Sequence, residues 1–259
     1  MEKYSSGLSG KAGLVEETLL SLQFIAEGYS ADNLKIAIIN DDILGKSTHG
    51  TRKAVYEKVY QRYLSNLATG EQLAKVVNSA SNSIEKKQYI YYELCKSEPI
   101  LYDAIIGPVW DRFENGYSSI EISNLQVWLD GRSNIHPEIL EWSPQTRKKL
   151  LSNIITVLRD FGLMSGKTRK VFEPVYLPLN VFGYVLYRLN ETLTIIGPQS
   201  IIKHPDWRLF LQDEDDVLAL LDDASAAGFC TFKRQGSVMM LNLLWPDLGG
   251  YVEAITGEI

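Results

Sequence analysis

Cysteine and histidine are scarce in this chain of 259 residues, with two of the first and three of the second. Cys95 and Cys230 lie far apart and neither belongs to a C-x-x-C pair, while His49, His136 and His204 are scattered. That inventory excludes the usual zinc sites and any disulfide framework. Both thiols are expected to be buried and reduced, as free cysteines usually are. Long apolar runs are missing too: nothing approaches the roughly 18 residues of a membrane helix. The most apolar stretch, "VYLPLNVFGYVLYRL", is broken by Pro178, Asn180, Gly183 and Arg188. The opening "MEKYSSGLSGKAGLVEETLL" has no apolar core of secretory type. The expectation is a soluble, cytoplasmic protein without membrane contact.

Catalytic signatures are absent as well. There is no P-loop, no G-x-G-x-x-G after a strand, no G-x-S-x-G and no H-E-x-x-H. The acidic run Asp213, Glu214, Asp215 and Asp216 reads as the start of a helix, not as a metal cluster. No catalytic residue, cofactor or metal ligand is therefore assigned. Cations are outnumbered, 26 against 32 acids, for a net charge of −6. This argues against nucleic acid binding over the whole surface but leaves room for a local basic patch, because salt screens charges beyond about 8–10 Å.

What is present is a helical pattern with a core-forming 45% of hydrophobic residues. Helices are predicted over 11–27 and 32–39, then from a cap at Ser47, Thr48 or Gly50 with Val55, Val59 and Tyr63 facing inward. "NLATGEQ" reads as a turn, Asn82 with Glu85 as a helix start running to Lys96, and 100–113 as a further helix. Residues 119–122 alternate as a short strand would. Ser123 with Gln126 then opens a helix that Gly131 ends, and a turn or short helix follows at Pro137. Ser143 and Pro144 form a strong start for a helix to Phe161, closed by Gly162, with a hairpin around Ser165 and Gly166 after it. The tail adds a helix from the acidic run and a hairpin around Arg234–Ser237, assigned to packing or protein contacts.

Strand, helix, turn, helix, hairpin is the order of a winged helix-turn-helix unit, whose second helix enters the DNA major groove. The fold class expected is mainly α with small β-hairpins: a helical N-terminal domain (1–115), a winged-helix-like domain (116–180) and a helix-plus-hairpin unit (181–259).

The triplet Thr-Arg-Lys occurs three times, at 51–53, 146–148 and 168–170. Two copies fall at predicted helix starts, where cations oppose the macrodipole by about 0.3–1 kcal/mol each. Stability alone would put acids there. A helix start with free N–H groups, a hydroxyl and cations suits a phosphate. "DILGKSTHGTRK" and "EILEWSPQTRK" also echo one another. The candidate DNA contacts are Lys46, Ser47, Thr48, His49, Thr51, Arg52 and Lys53 at the first start. At the second they are Ser143, Gln145, Thr146, Arg147, Lys148 and Lys149, and in the hairpin Lys167, Thr168, Arg169 and Lys170.

These segments, with "GLVEETLLSLQFIAEG", "NDDILGKSTHGTRKAVYEKVYQRY", "YIYYELCKSEPILYDAI", "HPEILEWSPQTRKKLLSNIITVLRDFGLM" and "FEPVYLP", resemble the BrxA proteins of BREX (bacteriophage exclusion) phage-defence systems over about residues 4–180. The resemblance implies a mostly helical, non-enzymatic protein that binds double-stranded DNA beside other BREX subunits, such as methyltransferase or ATPase components. Two rival readings stand next to it. Fourteen tyrosines, including Tyr89, Tyr91 and Tyr92 and the set Tyr56, Tyr60 and Tyr63, suit a protein–protein adaptor, although such stripes more often form core. Basic helix starts with exposed tyrosines suit RNA. Sequence preference and oligomeric state, a homo-oligomer included, stay open.

Overall fold

In a computed structural model, which describes residues 2–193, 197–236 and 238–257, side-chain caps start most of the long helices. A 3-10 turn, Ser6–Ser9, precedes α1 (Val15–Ala26), which stops at Gly28 in the left-handed region at φ +93°. Ser30 caps α2 (Ala31–Ile39), and Thr48, of the three candidates, caps α3 (His49–Val59), its Oγ1 accepting the Thr51 N–H at 3.1 Å. A π-helical turn, Tyr60–Leu64, carries α3 onward.

The next segment corrects the sequence reading. "NLATGEQ" is no turn: Asn66 caps α4 (Leu67–Ser79), and Gly70 lies inside that helix. A β-carbon on Gly70 would come within 2.7 Å of the Tyr63 carbonyl, so the glycine serves close approach, not a bend. Asn82 caps α5 (Ser83–Ser97) as expected. The helix expected over 100–113 is three pieces: α6 (Pro99–Ala104), a π turn (Ile105–Val109) and α7 (Trp110–Glu114). Gly107 breaks it at φ −102°, ψ −106°, just before Pro108.

The alternating residues 119–122 form no strand. The one ladder-like bond nearby, Phe172 N–H to Ser118 O, falls just before them, and the helix α8 (Ile122–Arg132) begins earlier than Ser123. Asn124 Oδ1 takes the Glu121 N–H at 3.0 Å, making Glu121 the cap. A 3-10 turn (Pro137–Glu141) leads to α9 (Pro144–Asp160), then β1 (Met164–Ser165) and β2 (Val171–Phe172) pair antiparallel. The apolar stretch given no helix above is α10 (Leu179–Thr192), followed by α11 (Pro198–Ile202) and a 3-10 turn (Pro205–Phe210). Then come α12 (Glu214–Ala226), the antiparallel pair β3 (Cys230–Gln235) and β4 (Val238–Leu243), and α13 (Leu248–Thr256). Arg234 and Gly236 of the second hairpin are described, but Ser237 lies outside the described residues. The protein is thus mainly helical with two small hairpins.

One continuous hydrophobic cluster runs from Tyr4 to Val252, with α5 at its centre. Tyr89, Tyr91, Tyr92, Tyr56 and Tyr63 are buried and only Tyr60 of the two tyrosine sets is exposed, so these stripes are core. Both cysteines are free and buried. Ionic knots on buried carboxylates cross this core. Arg62 Nε meets Glu98 at 2.9 Å, Arg188 Nε meets Glu93 at 2.8 Å beside the Tyr184 hydroxyl, and Asp206 binds Tyr92, Tyr102 and Lys96.

Candidate nucleic-acid interface

The α9 start is built by its own first turn. Ser143, extended at φ −60°, ψ 152°, accepts the Thr146 N–H at 3.1 Å and shares a 2.9 Å hydroxyl contact with Thr146. Pro144 occupies the first helical position, where its missing N–H costs nothing. Leu150, Leu151, Ile154, Ile155, Val157 and Leu158 face the core, which fixes the roll of the helix and turns Gln145, Lys148 and Lys149 to solvent. Neither lysine has an acidic partner among the described residues, whereas Arg147 does. Its Nε donates to the Trp142 carbonyl at 3.2 Å and its Nη1 lies 3.7 Å from Asp130 on α8. Arg147 thus clasps the two helices of the unit, while the free charge is Lys148 and Lys149.

The hairpin loop carries the second set. Gly166, at φ +91°, makes the turn possible: a β-carbon there would strike the Arg169 carbonyl. Lys167, Thr168 and Arg169 are exposed and Lys170 half-buried, and none of the three cations has an ion-pair partner among the described residues. At the base of the hairpin, Ser165 donates to the Glu173 carboxylate and the Glu173 N–H reaches Leu163 O at 3.0 Å. The β1–β2 pair packs on α9, so loop and helix start belong to one unit.

The α3 start is differently furnished. Ser47, Thr48 and His49 are exposed, and Thr51 is half-buried with its hydroxyl on Thr48. Each cation here has an acid nearby. Lys46 Nζ lies 2.7 Å from Glu17, Arg52 Nε 4.0 Å from Asp42, and Lys53 Nζ 3.8 Å from Glu57 one turn on. The Lys53 pair is well exposed on both sides and therefore weak. The echo between the two starts extends to the caps: Thr48 and Ser143 each accept from a threonine N–H three residues on, at 3.1 Å in both. It does not extend to charge: each cation at the α3 start has an acid within 4.0 Å, while Lys148 and Lys149 at the α9 start have none among the described residues.

Residues 2–187, more than two thirds of the chain, match the model of the BrxA family. The chain belongs to the BrxA family. BrxA membership makes it a component of a BREX phage-defence system. A solved structure of an uncharacterized protein from Magnetospirillum magneticum aligns with this BrxA protein at a TM-score of 0.64 and 17% identity, over 82% of this chain and all of that one. At that identity the likeness is one of fold. No curated protein matches. The BrxA match ends within α10, so the acidic α12 and the β3–β4 hairpin lie beyond it. There Asp213 and Asp216 cap each other reciprocally, at 2.9 and 3.1 Å, which is the helix-start role. Among the described residues no helix is long and apolar enough to cross a membrane.

Proposed function

We propose that this BrxA protein is a non-enzymatic, double-stranded-DNA-binding component of its defence complex. In this reading the α9 start and the β1–β2 loop meet the phosphates, and the α3 start adds a secondary contact. The observation that carries the reading is the asymmetry of pairing. In an acidic protein, Lys148, Lys149, Lys167, Arg169 and Lys170 gather on one small unit without a carboxylate partner among the described residues, whereas Lys46, Arg52 and Lys53 at the α3 start each have an acid within 4.0 Å. Lys148 and Lys149 sit in the second turn of α9, beside a helix start whose free N–H groups and Ser143 hydroxyl suit a phosphate. The order α8, turn, α9, hairpin suits a winged helix-turn-helix, with α9 in the major groove and the loop over the flanking backbone. Gln145 and Lys148 then stand nearest the base edges.

The test is a salt series on duplex binding by the purified protein. Affinity falls steeply with salt because each phosphate contact releases counterions. Lys148→Ala and Lys149→Ala each flatten the log–log slope by about 1, and Lys167→Ala does the same from the hairpin. Arg147→Ala acts differently, by loosening α8 from α9. Absence of duplex binding at low salt removes the reading, and a preference for single-stranded RNA at equal charge replaces it with the RNA alternative. The adaptor alternative has its own support in Val127 on α8 and Leu140 in the 3-10 turn, both well exposed beside this unit. Retention of a methyltransferase or ATPase subunit by the charge variants would favour that role in addition.

A further inference from the structure

The β3–β4 hairpin leaves one of its edges open. Only two residues separate Gln235 from Val238, so that pair exchanges both of its ladder bonds, and Lys233 with Met240 and Thr231 with Asn242 do the same in turn. Met239, Leu241 and Leu243 therefore aim their N–H and C=O groups away from β3. None of these groups has a hydrogen-bond partner among the described residues, and Gln199 of α11 reaches only the Met239 sulfur, at 3.9 Å. The side chains sort by the same alternation. Met239, Leu241 and Leu243 are half-buried and pack against the core. Val238 and Met240, with Leu244 just past the strand, turn to solvent at 71%, 54% and 53% exposed, and Asn242 is exposed between them.

Soluble proteins ordinarily guard an open edge with a charge, a proline or a bulge. Strand β4, Val-Met-Met-Leu-Asn-Leu, has no charged residue and no proline, and its register with β3 is unbroken. That is the composition of a pairing segment. The acids that would repel another acidic chain lie on α12, which packs on β3, one strand removed from the open edge. One of them, Asp222, is already held by Arg234 of β3 at 2.9 Å.

We propose that β4 is a docking edge for a second copy of this chain. Two β4 strands pair antiparallel about a two-fold axis at Leu241, and the two hairpins become one four-stranded sheet. The register follows from the free groups. Using all of them puts Leu241 opposite its own copy and Met239 opposite Leu243 of the second copy. On the solvent face Met240 then meets Asn242, and Val238 meets Leu244, across the axis. That match selects a second copy as the occupant. Apolar side chains left uncovered in one chain cover each other in the pair, and no like charges are opposed. A strand of another protein would find the same free groups but not Leu244 opposite Val238. The 6 residues of β4 are far fewer than the about 20–30 a side of a stable interface, so the dimer is weak and depends on concentration.

The experiment is sedimentation of the full chain from micromolar to submillimolar concentration, with hydrogen exchange followed at β4. The expected result is a reversible monomer–dimer equilibrium, with slower exchange of the Met239, Leu241 and Leu243 N–H groups as concentration rises. Met240→Lys and Val238→Lys each set a charge beside the axis at an exposed position, and each is expected to weaken the dimer about tenfold or more with melting unchanged. The register is read by cysteine pairing under an added thiol oxidant. An equimolar mixture of Val238→Cys and Leu244→Cys chains yields a disulfide-linked dimer, because the two positions face each other at about 4.5 Å between Cα atoms. Either variant alone does not, because its two copies lie roughly 20 Å apart along the strands. Cys95 and Cys230 are buried and take no part. Should one lysine variant melt early, the other and the cysteine mixture decide. A chain that stays monomeric throughout, a dimer as tight in both lysine variants as in the unaltered chain, or crosslinking by a single variant but not by the mixture overturns the proposal. A monomer whose β4 exchange slows only when another defence subunit is added overturns it too, and assigns the edge to a strand of that subunit.

Discussion

Single residues of this protein divide into charges held by the interior and charges left outside. Asp206 is the most demanding of the first kind. It is fully buried between α5, α6 and the Pro205–Phe210 turn. Burial by itself pushes its pKa up. The His204 ring, the Lys96 charge and the hydroxyls of Tyr102 and Tyr92 outweigh burial and hold the carboxyl well below the usual carboxylate range. The sign of the linkage follows. A carboxylate whose folded pKa is depressed contributes stability that is fully present above its unfolded pKa, about 3.9, and is lost as pH falls through the folded value. Asp206→Asn is expected to lower stability at neutral pH by about 3 kcal/mol, since it leaves Lys96 without its buried partner. It should also flatten the acid limb of a denaturant-midpoint profile below pH ~4. An acid limb identical to that of the unaltered chain would show that other carboxylates govern acid unfolding. None of this was visible in the sequence, where Asp206 follows a His-Pro pair and looks like a turn residue.

At the scale of elements, caps were the most legible feature. Asn82, Ser143 and the Asp213–Asp216 pair each start the helix they announce, because a cap is a local chemical arrangement that three or four residues complete. Ser143→Ala is therefore expected to cost about 1 kcal/mol, read by thermal or chemical melting, with a small effect on duplex affinity. The illegible elements depend on distant partners. Helix α4 was hidden by Gly70, whose reason is the Tyr63 carbonyl of the preceding turn. Helix α10 was hidden by Gly183 and Arg188, which interrupt the apolar run from Val181 to Leu189 because the Tyr251 ring fills the space beside the glycine and the buried Glu93 takes the arginine. The false strand at 119–122 alternates correctly but has only an irregular neighbour. Of the candidate interface, the basic letters were readable. The contacts that bring Asp42 to 4.0 Å from Arg52 and tie up Arg147 were not, because Asp42 and Asp130 reach them only through the fold.

At the scale of the whole molecule, the family match and the folded unit have different limits. The match stops at residue 187, yet the core continues. Tyr187 itself stacks on Tyr251 of α13 at 4.7 Å, donates its hydroxyl to Phe229 O and accepts the N–H groups of Leu244 and Trp245. Phe182 stacks on Trp207 at 4.7 Å, and Gly183 leaves the space that the Tyr251 ring occupies. Arg188, the first residue beyond the match, neutralises the buried Glu93 of α5. A chain ending at residue 187 would leave that carboxylate without its cation, Tyr92 and Tyr102 without Asp206, and the apolar surround of α10 open to water. Removing one partner of a buried pair costs about 3–5 kcal/mol by itself, within the 5–15 kcal/mol that hold a typical domain together. Truncation after residue 187 is thus expected to abolish cooperative melting and to expose apolar surface that binds a hydrophobic dye, although it removes none of the proposed DNA contacts. A truncated chain that melts as sharply as the whole protein would mean that α12, the β3–β4 hairpin and α13 are an appendage. The opposite result would mean that the acidic tail is part of the body that carries the basic unit.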